Sequence, residues 1–164
     1  MVIMEEDMKI FKRFLILVGV VFIISGCGNN KKEIMVTCTK SVKNESGEAV
    51  SVTDKSKFNS DQLLTYNEVV TVENGFTSDE SYNEKKKSYA NVVELMKDNN
   101  NYTFDFNDNK KEITVKLVAD SFDLTKYTDE EKENIKATYR IKSYENSGYT
   151  CKISGISRKK LGLE

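Results

Sequence analysis

The chain contains no histidine, no proline and no tryptophan, and only three cysteines in 164 residues. Without an imidazole it cannot assemble a Ser-His or Cys-His catalytic pair. Two cysteines and no histidine are also a poor ligand set for zinc. Charge of neither sign dominates: 26 acidic and 25 basic residues leave a net charge of −1. A basic excess suited to nucleic acid is therefore missing, and so is an acidic block suited to gathering cations. No glycine-rich phosphate loop occurs. The abundance of Lys and Asn beside these missing residues fits an AT-rich genome, such as that of a low-GC Gram-positive bacterium.

A long apolar run is lacking as well. The one candidate, Phe14 to Ile24, has eleven residues, whereas a membrane-spanning helix needs about 20. Its length instead suits the core of a secretory signal, preceded by the positive Lys9, Lys12 and Arg13. Glu5, Glu6 and Asp7 sit badly ahead of such an n-region, so initiation is expected at Met8. The run closes on Ile24-Ser25-Gly26-Cys27. An apolar residue, two small ones and a cysteine form a lipobox, in which the thiol accepts a diacylglyceryl group. Residues 1–26 are thus expected to be a lipoprotein signal peptide and Cys27 the lipidated residue. Residues 27–32 then form a linker, with Lys31 and Lys32 solvated or touching anionic headgroups. Two acyl chains hold a protein stably on a bilayer where one does not. Removing residues 1–26 takes three acids and three bases, so the net charge is unchanged.

Cys38 and Cys151 remain, an even pair for an exported domain. Each lies in an alternating segment, Val36-Thr37-Cys38-Thr39 and Tyr149-Thr150-Cys151-Lys152-Ile153. A disulfide between them is expected, and it requires the first and last strands to be neighbours; two buried free thiols are the alternative.

About 130 residues follow the linker, enough for one domain with a core. Alternation over Glu33 to Ser41, around Val50 and Val52, and over Leu63 to Glu73 predicts three antiparallel strands, separated by Asn/Ser/Gly turns. Thr77-Ser78-Asp79-Glu80 reads as a capping box opening a helix over about 79–97. Tyr82, Lys86, Tyr89, Val93 and Met96 form its inner face, with the tyrosines serving as core rather than as a ligand platform. Tyr102 to Ala119 reads as a hairpin turning at Asn107-Asp108-Asn109-Lys110. Thr128-Asp129-Glu130-Glu131 is a second capping box. A helix from there to about 146, ending at Gly148, is favoured over a hairpin strand through Tyr139 and Ile141. Tyr149 to Ile153 is the last strand. The expectation is a single α+β domain over 33–157, of order βββ-α-ββ-α-β, with two helices on one face of a largely antiparallel sheet. Residues 158–164 are expected to form a loosely ordered tail.

The lipobox, the size and this order loosely resemble the YehR-like family of small bacterial lipoproteins. The resemblance carries over only Cys27, as the lipidated cysteine, and implies a surface lipoprotein of poorly defined role.

Other patterns fail on chemistry. Ser157-Arg158-Lys159-Lys160 matches S-x-x-K without its companion motifs. Asp105-Phe106-Asn107-Asp108-Asn109 opens like a calcium loop, but Lys110 replaces the turn glycine and Lys116 the bidentate acid. Asp105 with Asp108, Glu130 with Glu131, and Lys85-Lys86-Lys87 read as solvated faces. No catalytic, cofactor-binding or metal residue is assigned. The reading is a lipid-anchored protein on the extracytoplasmic face of the cell membrane, an accessory module that binds rather than catalyses. Its partners are membrane lipid through Cys27 and an unidentified envelope protein or small ligand, with no nucleic acid. A structural or adhesive surface protein, with a flat polar sheet face, is the alternative. An enzyme using carboxylates alone ranks third and needs two acids about 5–10 Å apart in a cleft.

Overall fold

The structure is a computed structural model, and it describes residues 33–45 and 47–164. The signal, the Met8 start, Cys27 and the linker lie outside the described residues. Six strands, β1 (Ile34–Lys43), β2 (Ala49–Phe58), β3 (Leu64–Asn74), β4 (Tyr102–Asn107), β5 (Glu112–Ala119) and β6 (Thr150–Ser154), form one sheet in the order β4-β5-β3-β2-β1-β6. Every pairing is antiparallel. The helices are α1 (Asp79–Met96), α2 (Asp129–Asn134) and α3 (Ala137–Asn146). The α+β class with helices on one face of an antiparallel sheet is as the sequence implies.

Directly opposed residues of antiparallel strands share a face. The register therefore places Ile34, Val36 and Cys38 beside Phe58, Ser56 and Asp54, then Asn67 and Val69, then Leu117, on one side of the sheet. Strict alternation in β2 buries Val52, Asp54, Ser56 and Phe58 and leaves Thr53, Lys55 and Lys57 partly exposed. This inner face carries two cores. One gathers Ile34, Val36, Cys38, Phe58, Leu64, Ala137, Ile141, Tyr144, Tyr149 and Leu161 under α3. The other gathers Tyr82, Tyr89, Ile113 and Val115 under α1, with Phe76, Phe104 and Phe106. Val52 and Val69 pack between them with Val50 and Leu117. Ile113, Ile141 and Phe58 are fully buried, each stabilising the fold by about 1.5–3 kcal/mol.

Two helical details differ from expectation. The N-cap of α1 is Ser78, whose hydroxyl accepts from Ser81 N at 3.1 Å, so the capping box is Ser78/Ser81 rather than Thr77/Glu80. The shift moves Asp79 and Glu80 into the first turn, where the helix dipole favours acids. The helix expected from 129 to 146 is broken at Ile135 and Lys136. There the backbone is taken by the β2–β3 turn: Leu64 N donates to Ile135 O (3.3 Å) and Ala137 N donates to Gln62 O (2.9 Å). Tertiary hydrogen bonds thus replace intrahelical ones and divide the segment into α2 and α3. The Thr128/Glu131 capping box forms as expected. Helix α3 buries Ala137, Ile141 and Tyr144 and stops before Gly148, at φ +81°. The hairpin strand considered for this stretch does not form.

The first and last strands are neighbours, and Cys38 stands directly opposite Cys151. The two are bridged, with S–S 2.04 Å and Cα–Cα 3.9 Å. Beyond β6, Gly155 (φ +86°) lies so close to Glu33 that a Cβ would come within 2.3 Å of its carbonyl oxygen. The last segment, expected to be loose, contributes Leu161 to the core.

Candidate functional site

Asp54 occupies an inward position of β2 and is 1% exposed. Its carboxylate accepts from Ser56 Oγ (2.5 Å), Asn67 Nδ2 (2.7 Å), Tyr144 Oη (2.5 Å) and Arg140 Nη2 (3.0 Å). Arg140 and Tyr144 are four apart on α3, so both project from one side of the helix. The guanidinium lies over the Tyr144 ring, 5.5 Å from its centroid. Arg140 Nε is buried without a hydrogen-bond partner.

The same construction recurs under α1. Glu73, 6% exposed on the inner face of β3, accepts from Tyr89 Oη at 2.5 Å and pairs with Lys85 Nζ at 3.0 Å. Lys85 lies over the Tyr89 ring at 5.7 Å. Two turns earlier, Tyr82 Oη donates to Asp108 Oδ1 (2.8 Å), and Lys86, 5.7 Å above the Tyr82 ring, reaches the same oxygen at 2.6 Å. Three helical tyrosines, each with a cation four residues away, thus meet three carboxylates on strands or a strand turn.

The electrostatics suit fastening. Burial first, then the Asp108 bond, pushes the Tyr82 phenol up to about 12. Burial and the Glu73 charge raise Tyr89 well beyond its ordinary value, and burial with Asp54 does the same for Tyr144. These phenols stay protonated and donate to carboxylates whose oxygens they occupy.

The outer face of the sheet is different in kind. Among the described residues no helix packs on it. The register aligns Thr150, Thr39, Thr53, Val70, Lys116 and Thr103 in one row, and Ser41, Ser51, Val72, Thr114 and Asp105 in the next. Glu68 is its central charge. It is held by Lys55 Nζ at 2.5 Å and Lys116 Nζ at 2.7 Å, with Tyr66 Oη at 3.3 Å. Burial alone would raise the Glu68 carboxyl, but hydrogen bonds from Lys116 and Lys55 outweigh it and hold it below its usual range. The face is thus rich in hydroxyls and lysines, with Glu68 neutralised by its lysine neighbours and Asp105 on the edge strand β4.

No protein-family model, no curated protein and no solved structure matches the chain.

Of the residues singled out in the sequence, Cys38 and Cys151 come together. Asp108 binds Tyr82 and Lys86, while Asp105 stands apart on the outer face. Glu131 caps α2, its carboxylate accepting from Thr128 N at 2.7 Å. Lys85 and Lys86 are engaged in ion pairs. Ser157 of the S-x-x-K match accepts from Lys160 N at 3.3 Å, a local turn contact. No group of three or more potential metal-ligating side chains occurs among the described residues. Two surface depressions, of about 510 Å³ by Asn83, Lys86, Lys87 and Ala90 and about 420 Å³ by Asp123, Lys126, Tyr127 and Glu131, are open to solvent. Sequence reasoning missed Asp54, Glu73 and Arg140. The signal for Asp54 was there: in Val50, Val52, Asp54, Ser56, Phe58 an acid occupies an inward position of an alternating strand.

Proposed function

We propose that this is a lipid-anchored protein of a bacterial envelope, tethered through Cys27 on the extracytoplasmic face, that binds a partner rather than transforming a substrate. The observation that carries the reading is the Cys38–Cys151 bridge. Structural disulfides persist in oxidising compartments and are rare in the cytosol, which agrees with a signal ending at a lipobox cysteine. The outer sheet face supplies the binding surface. Its uncovered rows of hydroxyl and lysine side chains suit an extended macromolecular partner better than a small apolar ligand, which prefers a concave pocket. The same polar, uncovered sheet face favours a second reading, a structural or adhesive surface protein. The test of the anchor is metabolic labelling with a radioactive fatty acid in a bacterial host. The wild-type chain should incorporate label and fractionate with membranes, and Cys27→Ala should incorporate none and be left unprocessed or released. Undiminished labelling of Cys27→Ala would overturn the proposal.

A further inference from the structure

We propose that two copies of this chain pair through the edge strand β4, antiparallel about a two-fold axis at Phe104, and so join their six-stranded sheets into one. The pairing is independent of the lipid-anchor reading.

The backbone supplies the first argument. Strand β4 is hydrogen-bonded to β5 on one side, and among the described residues no strand pairs with it on the other. Just before β4, Val118 N donates to Asn101 O at 2.8 Å, and the register runs on through Tyr102↔Leu117 and Thr103↔Lys116. In an antiparallel ladder, opposed pairs that exchange hydrogen bonds alternate with pairs that do not. Asn101, Thr103, Asp105 and Asn107 therefore turn their N–H and C=O toward β5, while Tyr102, Phe104 and Phe106 turn theirs outward. Tyr102 N donates to Asn99 O at 3.0 Å. The N–H groups of Phe104 and Phe106, and the C=O groups of these aromatics, are left along the edge as a template for a further strand.

Edges are ordinarily guarded by lysine, proline or a bulge. Strand β4 has none of these: Tyr-Thr-Phe-Asp-Phe-Asn pairs with β5 in unbroken register. At the other edge, β6 has only five residues and carries the exposed Lys152.

The side chains choose the occupant, because the strand is its own complement. With Phe104 facing the partner's Phe104, Tyr102 faces the partner's Phe106, and Phe106 the partner's Tyr102. The half-buried rings of the inner side thus meet rings, a favourable cross-strand pairing. On the outer side the exposed Thr103 and Asp105 face the partner's Asp105 and Thr103, so each carboxylate meets a hydroxyl. In this register Phe104 N–H donates to the partner's Phe104 C=O, and Phe106 N–H to the partner's Tyr102 C=O, in both directions. Every outward donor is then used. Sliding the strands until Asp105 faces its own copy opposes two carboxylates, which is destabilising. Sliding the other way, until Thr103 faces its own copy, leaves Phe106 opposite Asn100. The charges at the strand ends agree. Asp98 stands before β4 and Lys110 after it, and among the described residues neither is in a salt bridge, whereas Lys97 pairs with Glu94, Lys86 with Asp108 and Lys111 with Asp79. Antiparallel pairing brings the Asp98 end of one copy to the Lys110 end of the other.

The test expresses the full-length chain in a bacterial host as two single-site variants, Thr103→Cys and Asp105→Cys, each alone and both together. Mild oxidation with diamide is followed by digestion and mass spectrometry of disulfide-linked peptides. Both sites are exposed, and recovery of the Cys38–Cys151 peptide reports the native domain. Co-expression should give a link between positions 103 and 105 at least about tenfold more abundant than 103–103 or 105–105 links, because opposed residues lie within bridging distance and diagonal ones, about 7–8 Å apart, do not. A dominant 103–103 or 105–105 link would mean another register and overturns the proposal. Equal yields of all three would report random collision and overturn it too. Absence of any link would leave this edge to a strand of a different protein, and the pairing of copies falls.

Discussion

Replacing both Cys38 and Cys151 by alanine should cost the domain about 5 kcal/mol. The two cysteines are 113 residues apart in sequence, so the bridge closes nearly the whole domain. The chain-entropy relation gives about 5 kcal/mol for a loop of that length. Alanine at both sites leaves no polar group at the fully buried Cys38 position, so the loss reads the cross-link rather than a mispaired side chain. For a domain of about 130 residues, an unfolding entropy of about 2.1 cal/mol/K per residue converts this to a fall in Tm of roughly 15–20 °C. The assay is thermal unfolding by circular dichroism of residues 33–164, comparing the oxidised wild type, the reduced wild type and the double variant. Reduction and substitution should give the same shift. A shift below about 4 °C, or a variant destabilised while reduction does nothing, would refute the loop argument. Strand β6 makes the outcome informative: it is an edge strand paired only to β1, and without the bridge it depends on that pairing and on its packing against α3.

The tyrosine fastenings predict that Tyr144→Phe and Tyr89→Phe each lose about 1.5–3 kcal/mol in urea unfolding, the range for a hydrogen bond to a charged group. Asp54→Ala should cost more, about 3–5 kcal/mol, because it leaves the partly buried Arg140 without its counter-charge and the Ser56, Asn67 and Tyr144 donors without their shared acceptor; an equal or smaller loss than Tyr144→Phe would contradict the clamp. The Glu68 carboxyl lies below its ordinary value in the folded protein, so its contribution is present above the unfolded pKa, about 4.3. That contribution is lost as pH falls through the folded value. The stability gap between wild type and Glu68→Gln should therefore be open at pH 7 and closed near pH 2; a gap of constant size across that range would reject the assignment. Gly155→Ala places a Cβ 2.3 Å from the Glu33 oxygen at φ +86°. It should lower stability by at least about 1–3 kcal/mol, and an unchanged melting temperature would show that the close approach relaxes freely.

Local patterning carried much of this fold into view. Period-two runs mark the six strands, the Thr128/Glu131 box marks the start of α2, and the spacing of Tyr82 and Tyr89 marks the inner side of α1. These features depend on side chains within a few residues of one another, so their periodicity is written along the chain. The pairing of Cys38 with Cys151 was legible for a related reason: both cysteines stand in alternating segments at the two ends of one exported domain. The remainder depends on which distant segments meet. Nothing local places β5 beside β3 with β4 outermost, because the hairpin register is satisfied whichever of its strands joins the sheet. The break at Ile135 and Lys136 arises because the β2–β3 turn, some 70 residues earlier, claims two backbone groups of a segment whose own spacing is helical. Glu73 and Asp108 read as ordinary surface acids until α1 lays tyrosines and cations across them, and Asp54, inward by its alternation in β2, finds its tyrosine and cation only on α3. For Asp54 and Glu73 burial raises the cost of leaving the carboxylate unpaired, whereas Asp108 stays exposed at its turn. That cost is set by the packed helices and sheet rather than by the neighbours in sequence.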